Sequence, residues 1–174
     1  MDPSVDDARP TLVHYLFSVG VLLLLWLLLA GSIDPQEVMA GAAVALVVTI
    51  IAAPRLGIFT GMRFSLGAPL ALLRYLGHFF RALVIANIDV ARRVLAPSLP
   101  LRPAVVEVQT ELRSALGRML LANSITLTPG TLTIDVRGER LFVHWIDCPP
   151  GTDLEQATTA IAADFERHIK GFLK

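Results

Sequence analysis

From Leu12 to Ile33 the chain runs 22 residues without a formally charged side chain, His14 being the one residue in the run of a type that ionises near neutral pH. At 1.5 Å per residue that is roughly 33 Å of helix, enough to cross a hydrocarbon core of about 30 Å. A cleaved signal peptide would want a positive start. The residues ahead of the run instead carry Asp2, Asp6 and Asp7 against Arg9, and a second apolar segment follows at once. The run therefore reads as a retained transmembrane helix, preceded by a flexible polar N-terminus over residues 1–11.

Asp34, Pro35 and Glu37 open the second helix, with the spacing of a capping box and a proline in the first turn. Its uncharged part, Val38 to Ala53, ends at Pro54 and is short for a span, so its first turn belongs at headgroup level. Residues 12–54 are expected to form a transmembrane helical hairpin. Gly41, Ala42 and Ala45 lie on one side of the second helix and permit close backbone approach. They pack either on the first helix or on another subunit.

The charge is zero in sum but not in distribution. Residues 1–37 hold five acids against one base, residues 38–100 hold six arginines against one acid, and residues 101–174 are nearly balanced. Arginine-rich flanks stay cytoplasmic. Two spans would thus leave both termini and the C-terminal domain on the cytoplasmic side of a multi-pass protein.

The arginines concentrate on a third apolar helix, expected over residues 64–96. Spaced at 100° per residue, Arg74, His78, Arg81, Asp89 and Arg92 fall within about a third of the circumference. An arginine in mid-membrane costs about 2.5–3.5 kcal/mol on insertion scales. An amphipathic helix at the membrane surface would bury its Leu/Phe face and leave the arginines among headgroups. The rival is a third span with its arginine face covered by partner proteins. Asn87 points away from the arginines, where an amide in lipid would be a liability, and marks that end as a docking element.

Prolines at 97, 100 and 103 then lead into a small α/β domain, residues 101–174. Ala104 to Leu112 alternates as a strand, with Val106 and Val108 inward. Ser114 to Ser124 is a helix with Leu116, Met119, Leu120 and Asn123 on one face. Thr128-Pro129-Gly130 is a structural turn, proline at its first central position and glycine supplying a positive φ. Two further strands follow, carrying Leu132, Ile134, Val136 and then Leu141, Val143, Trp145. A capping box at Thr152 and Glu155 opens a last helix with Leu154, Ala157, Ile161, Phe165 and Ile169 as its buried stripe. The expected fold is a membrane-anchored α+β protein ending in a two-layer β-α-β-β-α unit. At roughly 70 residues that unit is small for an independent core and should lean on other surfaces.

The domain offers little chemistry. His144 and Asp147 point to opposite faces of a strand and make no catalytic pair. Cys148 is the one cysteine, so neither a disulfide within the chain nor Cys/His metal spacing exists. The threonines around Pro129-Gly130 lack the lysine and glycines of a phosphate loop. The arginine stripe, without aromatic platforms and beside two membrane helices, reads as a lipid or subunit contact and not as a nucleic-acid site. Neither apolar run contains an Asp, Glu or Lys that could carry an ion through a membrane. Catalytic residues, cofactor and metal are all expected to be none.

Three strings carry a resemblance: Asn87-Ile88-Asp89-Val90, Ala122-Asn123-Ser124-Ile125-Thr126-Leu127-Thr128-Pro129-Gly130-Thr131 and Leu141-Phe142-Val143-His144-Trp145-Ile146-Asp147. In these, and in layout from Leu12 to Lys174, the chain resembles the MrpE/MnhE-type subunits of the Mrp/Mnh multisubunit Na⁺/H⁺ antiporters. It departs at Pro103-Ala104, where the family has Pro-Gly, and in its longer N-terminal extension. The resemblance implies a bacterial cell-membrane complex of about seven different subunits that exports Na⁺ in exchange for H⁺, with the ion paths in its larger members. A chain of this type would be an accessory, non-catalytic subunit serving assembly, stability or modulation. The alternative is a stand-alone membrane-tethered α/β binding module.

Overall fold

The computed structural model describes residues 11–53, 57, 59, 61–97 and 101–174. The polar N-terminal residues 1–10, the helix-ending Pro54 and Pro100 lie outside the described residues. The described residues divide into two compact units, one up to residue 59 and one from residue 61 to residue 174.

The first unit is a pair of helices, α1 (Leu12–Ala30) and α2 (Pro35–Ala52). Gly31 ends α1 in the left-handed conformation (φ 65°), its N–H bonded to the Leu27 carbonyl at 3.0 Å. The α1–α2 contact runs along Gly41, Ala45 and Thr49. A Cβ on Gly41 would sit 2.5 Å from the Trp26 ring, so glycine is required for that approach. The capping box expected at Asp34 and Glu37 does not form. Asp34 makes no side-chain cap, and Glu37 instead accepts a 3.1 Å hydrogen bond from Trp26 Nε1 across the turn.

The second unit begins with α3 (Ala68–Leu95) and continues as β1 (Ala104–Gln109), α4 (Ala115–Leu127), β2 (Thr131–Arg137), β3 (Arg140–Trp145), α5 (Leu154–Ile161) and α6 (Ala163–Ile169). The strands form one antiparallel sheet in the order β1-β3-β2. Val106 pairs with Val143 and Val108 with Leu141, which aligns the inward residues of two strands on the helix-covered face. The core holds Val108, Leu112, Leu121, Ile125, Leu141, Val143, Ala157, Ile161, Phe165 and Ile169. On β2 a bulge between Thr133 and Asp135 breaks the alternation, and Leu132 and Ile134 stand exposed.

Two helices differ from expectation for local reasons. α4 runs on to Leu127 and buries Gly117, Leu121, Ser124 and Ile125, one position round from the expected face; Met119 and Asn123 are exposed. Threonine hydroxyls near its end account for the extra turn. The last helix breaks at Ala162 into α5 and α6. Its capping box is Asp153 with Gln156, because the Thr152 hydroxyl is engaged by the Pro149 carbonyl at 2.7 Å. Beyond the break, Glu166 is buried and accepts from the Thr110 hydroxyl at 2.7 Å and the Glu111 N–H at 3.1 Å.

The C-terminal residues are built in. Met62 pairs with Leu173, Arg63 N–H donates to the Phe172 carbonyl, and both the N–H and the hydroxyl of Ser114 donate to the Lys174 carbonyl. A Cβ on Gly171 would meet Ala71 of α3 at 2.8 Å, so that glycine lets α3 lie close to the end of α6.

Candidate functional site

Three sides of α3 have three different surroundings. Ala68, Ala71, Tyr75, Phe79 and Ala82, at helical spacing, pack against the α/β core. Tyr75 is buried, its Oη 2.7 Å from Ser124 Oγ on α4. A second side carries Arg74, Arg81 and Arg92, all exposed. The third carries Leu73, Phe80 and Val84, more than half exposed despite being apolar. The expected arginine stripe is there, but most of the helix face beside it is occupied by the chain's own domain.

The far end of α3 is fixed by charge. Arg93 bonds Asp89 one turn back (2.7 Å) and reaches Asp147 at the end of β3 (2.5 Å), while Arg102 reaches the other oxygen of Asp147 (3.1 Å). Hydrogen bonds from Arg93 and then Arg102 hold the Asp147 carboxyl below its usual range. Asn87 bonds back to the Leu83 carbonyl of its own helix at 2.8 Å. That bond uses one of the two amide hydrogens and leaves the Asn87 side chain exposed.

Between α3 and the domain lies a cleft of about 410 Å³. Ala82 and Ala86 leave the space on the α3 side, and Ile161, Phe165 and Trp145 form the apolar surface opposite. Arg81, Asp89, Arg93, Asp147 and Asp164 give it a rim of both signs. The turn Thr128–Thr131 closes one end, with Gly130 at φ 98° and its carbonyl accepting from Ile146 N–H at 2.9 Å. The nearby hydroxyls are used internally. Thr128 Oγ1 donates to the Ser124 carbonyl, Thr131 Oγ1 to the Ile125 carbonyl, and Thr126 Oγ1 accepts from Thr133 N–H. They satisfy the last carbonyls of α4 and tie the helix to β2, which is why the helix extends to Leu127.

All three sequence strings singled out above thus reach one place: Asp89 and Val90 from the first, Thr128–Thr131 from the second, Trp145–Asp147 from the third. The profile of a family described as "Na+/H+ ion antiporter subunit" matches residues 19–171. The chain belongs to that family. Among relatives, the E-type Na(+)/H(+) antiporter subunit of Alkalihalophilus pseudofirmus is 30% identical over 151 residues, covering 86% of this chain and 91% of that one. The E-type Na(+)/H(+) antiporter subunit of Bacillus subtilis is 33% identical over 114 residues, covering 64% and 70%. A chain in the structure of the membrane-bound sulfane sulfur reductase, an archaeal respiratory membrane complex, is similar with a TM-score of 0.78 and 38% identity, covering 90% of this chain and 97% of that one.

In this antiporter-subunit family member, sequence reasoning missed Arg93 as the residue that joins α3 to the domain. Its signal was the Asp89/Arg93 spacing of four, which favours an ion pair on one helix face. The long-range partner, Asp147, had no sequence signal. Among the described residues no three His, Cys, Asp or Glu side chains gather at metal-ligand spacing. The expected packing residues Gly41 and Ala45 lie against α1, and Ala42 beside them is half-buried.

Proposed function

We propose that this chain is an accessory, non-catalytic subunit of a multisubunit cation/proton antiporter, anchored by α1 and α2 and holding its α/β domain on the cytoplasmic surface. The observation that carries the reading is the length of the α3–domain contact. The domain touches α3 from Ala71, opposite Gly171, to Arg93, opposite Asp147. That is roughly 33 Å of helix axis, as long as a hydrocarbon core is thick. Were α3 to cross the bilayer, α6 with Arg167 and Lys170, and the Asp147–Arg102 pair, would enter lipid with it, at about 2.5–3.5 kcal/mol for each basic residue. An α3 lying in the interface avoids this. Leu73, Phe80 and Val84 face the acyl boundary, and Arg74, Arg81 and Arg92 meet anionic headgroups. The cleft beside α3 is then open to loops of neighbouring subunits, and its small volume and mixed-charge rim suit a side chain of a partner protein. Purifying the tagged chain from its native membrane tests the assignment. Larger membrane subunits should come with it, and deleting the chain should lower both recovery of the complex and Na⁺ tolerance. Isolation of the chain alone, with tolerance unchanged, would favour a stand-alone binding module.

The 38% identity to a chain of a respiratory membrane complex favours a second reading, in which this subunit type serves a redox-driven assembly. The two separate on which large subunits copurify and on whether Na⁺ export follows the loss of the chain.

A further inference from the structure

The α3–α6 contact carries two histidines face to face. The rings of His78 and His168 lie 4.5 Å apart and 12° from parallel, and His78 also meets the Phe165 ring edge-on at 5.2 Å. His168 Nδ1 lies 2.7 Å from the Asp164 carbonyl, so in the neutral ring Nδ1 carries the hydrogen and Nε2 is left to accept a proton. The charges around the pair are mostly of one sign. From α3 comes Arg81; from α6 come Arg167 and Asp164, whose carboxylate is paired with Arg167. Among the described residues no carboxylate bonds either imidazole.

Two neutral imidazoles stack well at this distance. Two imidazolium ions between two guanidinium groups repel one another, and both rings are only half-exposed. Burial first, and then the charges of His168, Arg81 and Arg167, hold His78 below the usual histidine value. A depressed histidine keeps the folded contact at full strength above about pH 6.5 and weakens it progressively as the pH falls below that value. The Arg93–Asp147 lock behaves differently, since its depressed carboxyl lets go only in stronger acid, below the ordinary aspartate value of about 3.9. Between those limits the histidine contact loosens while the far end of α3 stays tied.

We propose that the His78–His168 stack is a proton-sensitive latch that closes the middle of α3 onto α6 near neutral pH and releases it on acidification, hinging at the Arg93–Asp147 end. Because His78 lines the cleft, release also changes its width. That this would tune an antiporter complex rests on the function proposed above; the latch itself does not.

Hydrogen exchange of the full-length chain in detergent, with protection corrected for intrinsic rates, reads the latch directly. From pH 7.5 to 5.5, protection of residues 163–174 should fall severalfold relative to β1 and β3, in the direction that a histidine depressed in the folded state requires. His78→Phe and His168→Phe keep a stacked ring without a titrating nitrogen, and each should abolish most of that fall. NMR of ring-labelled histidines gives a readout in the unmodified protein, where His78 should titrate below the usual histidine value. Unchanged protection in the natural sequence, an undiminished fall in the double Phe variant, or an ordinary titration of His78 would overturn the latch. Each result is independent of whether other subunits copurify, so a failed latch and a failed subunit assignment remain distinct.

Discussion

Tyr75 does two jobs at one position. Its ring fills the space between α3 and the core, and its hydroxyl meets Ser124. Tyr75→Phe should cost only about 1 kcal/mol, since Ser124 keeps its bond to the Leu120 carbonyl. Tyr75→Ala should cost about 3–5 kcal/mol through the cavity left behind. Thermal unfolding of the full chain in detergent checks the gap between the two; equal losses would mean the ring packs nothing. Asp147 gives a pH prediction. Its folded-state pKa is depressed by Arg93 and Arg102, so its contribution is present above the ordinary aspartate value of about 3.9 and is lost as the pH falls through the folded value. Protection in the last turns of α3, corrected for intrinsic exchange rates, should fall in the natural protein as the pH drops below about 3.9, and Asp147→Asn should show that lower protection already at pH 7. Residues such as these were half legible. Asp147 stood out in the sequence beside His144, but its partners Arg93 and Arg102 lie 54 and 45 positions away, and no local spacing announces a pair at that separation.

α3 was the element most exposed to misreading. Its arginine spacing was plain from the sequence, because a period of 3.6 leaves charges on one side. The side taken by the domain was not, because Ala68, Ala71 and Ala82 look like neutral helix formers and become informative only when Gly171 and Tyr75 are seen against their neighbours. Cysteines placed singly along the helix, in a Cys148→Ser background, should sort by face. At Leu73, Phe80 and Val84 a spin label should favour contact with lipid-soluble oxygen, whereas at Arg74, Arg81 and Arg92 it should favour a water-soluble relaxant. Uniform lipid accessibility around the helix would show that the domain does not cover it. The break in the last helix was likewise hidden, since Ala157, Ile161, Phe165 and Ile169 keep one apolar stripe straight through it.

At the scale of the whole chain the sequence separated an apolar N-terminal pair of helices from a mixed C-terminal layer, since hydrophobic run length and alternation are local properties. It set α3 apart from both, as an amphipathic membrane-surface helix with a third span as the rival. The structure groups α3 with the α/β layer from residue 61 onward, because the segment just before it pairs with the C-terminal residues Phe172 to Lys174 and its face is buried on the core. The function proposed above has α3 lie in the interface and not cross as a third span, and that choice decides on which side the domain would meet other subunits. The most direct measurement labels single cysteines at Ser65→Cys and Pro97→Cys, at the two ends of α3, with a membrane-impermeant reagent applied from either side of sealed vesicles. Both positions should react from the cytoplasmic side and neither from the outside; reaction of the two from opposite sides would show that α3 crosses the membrane and would contradict the account.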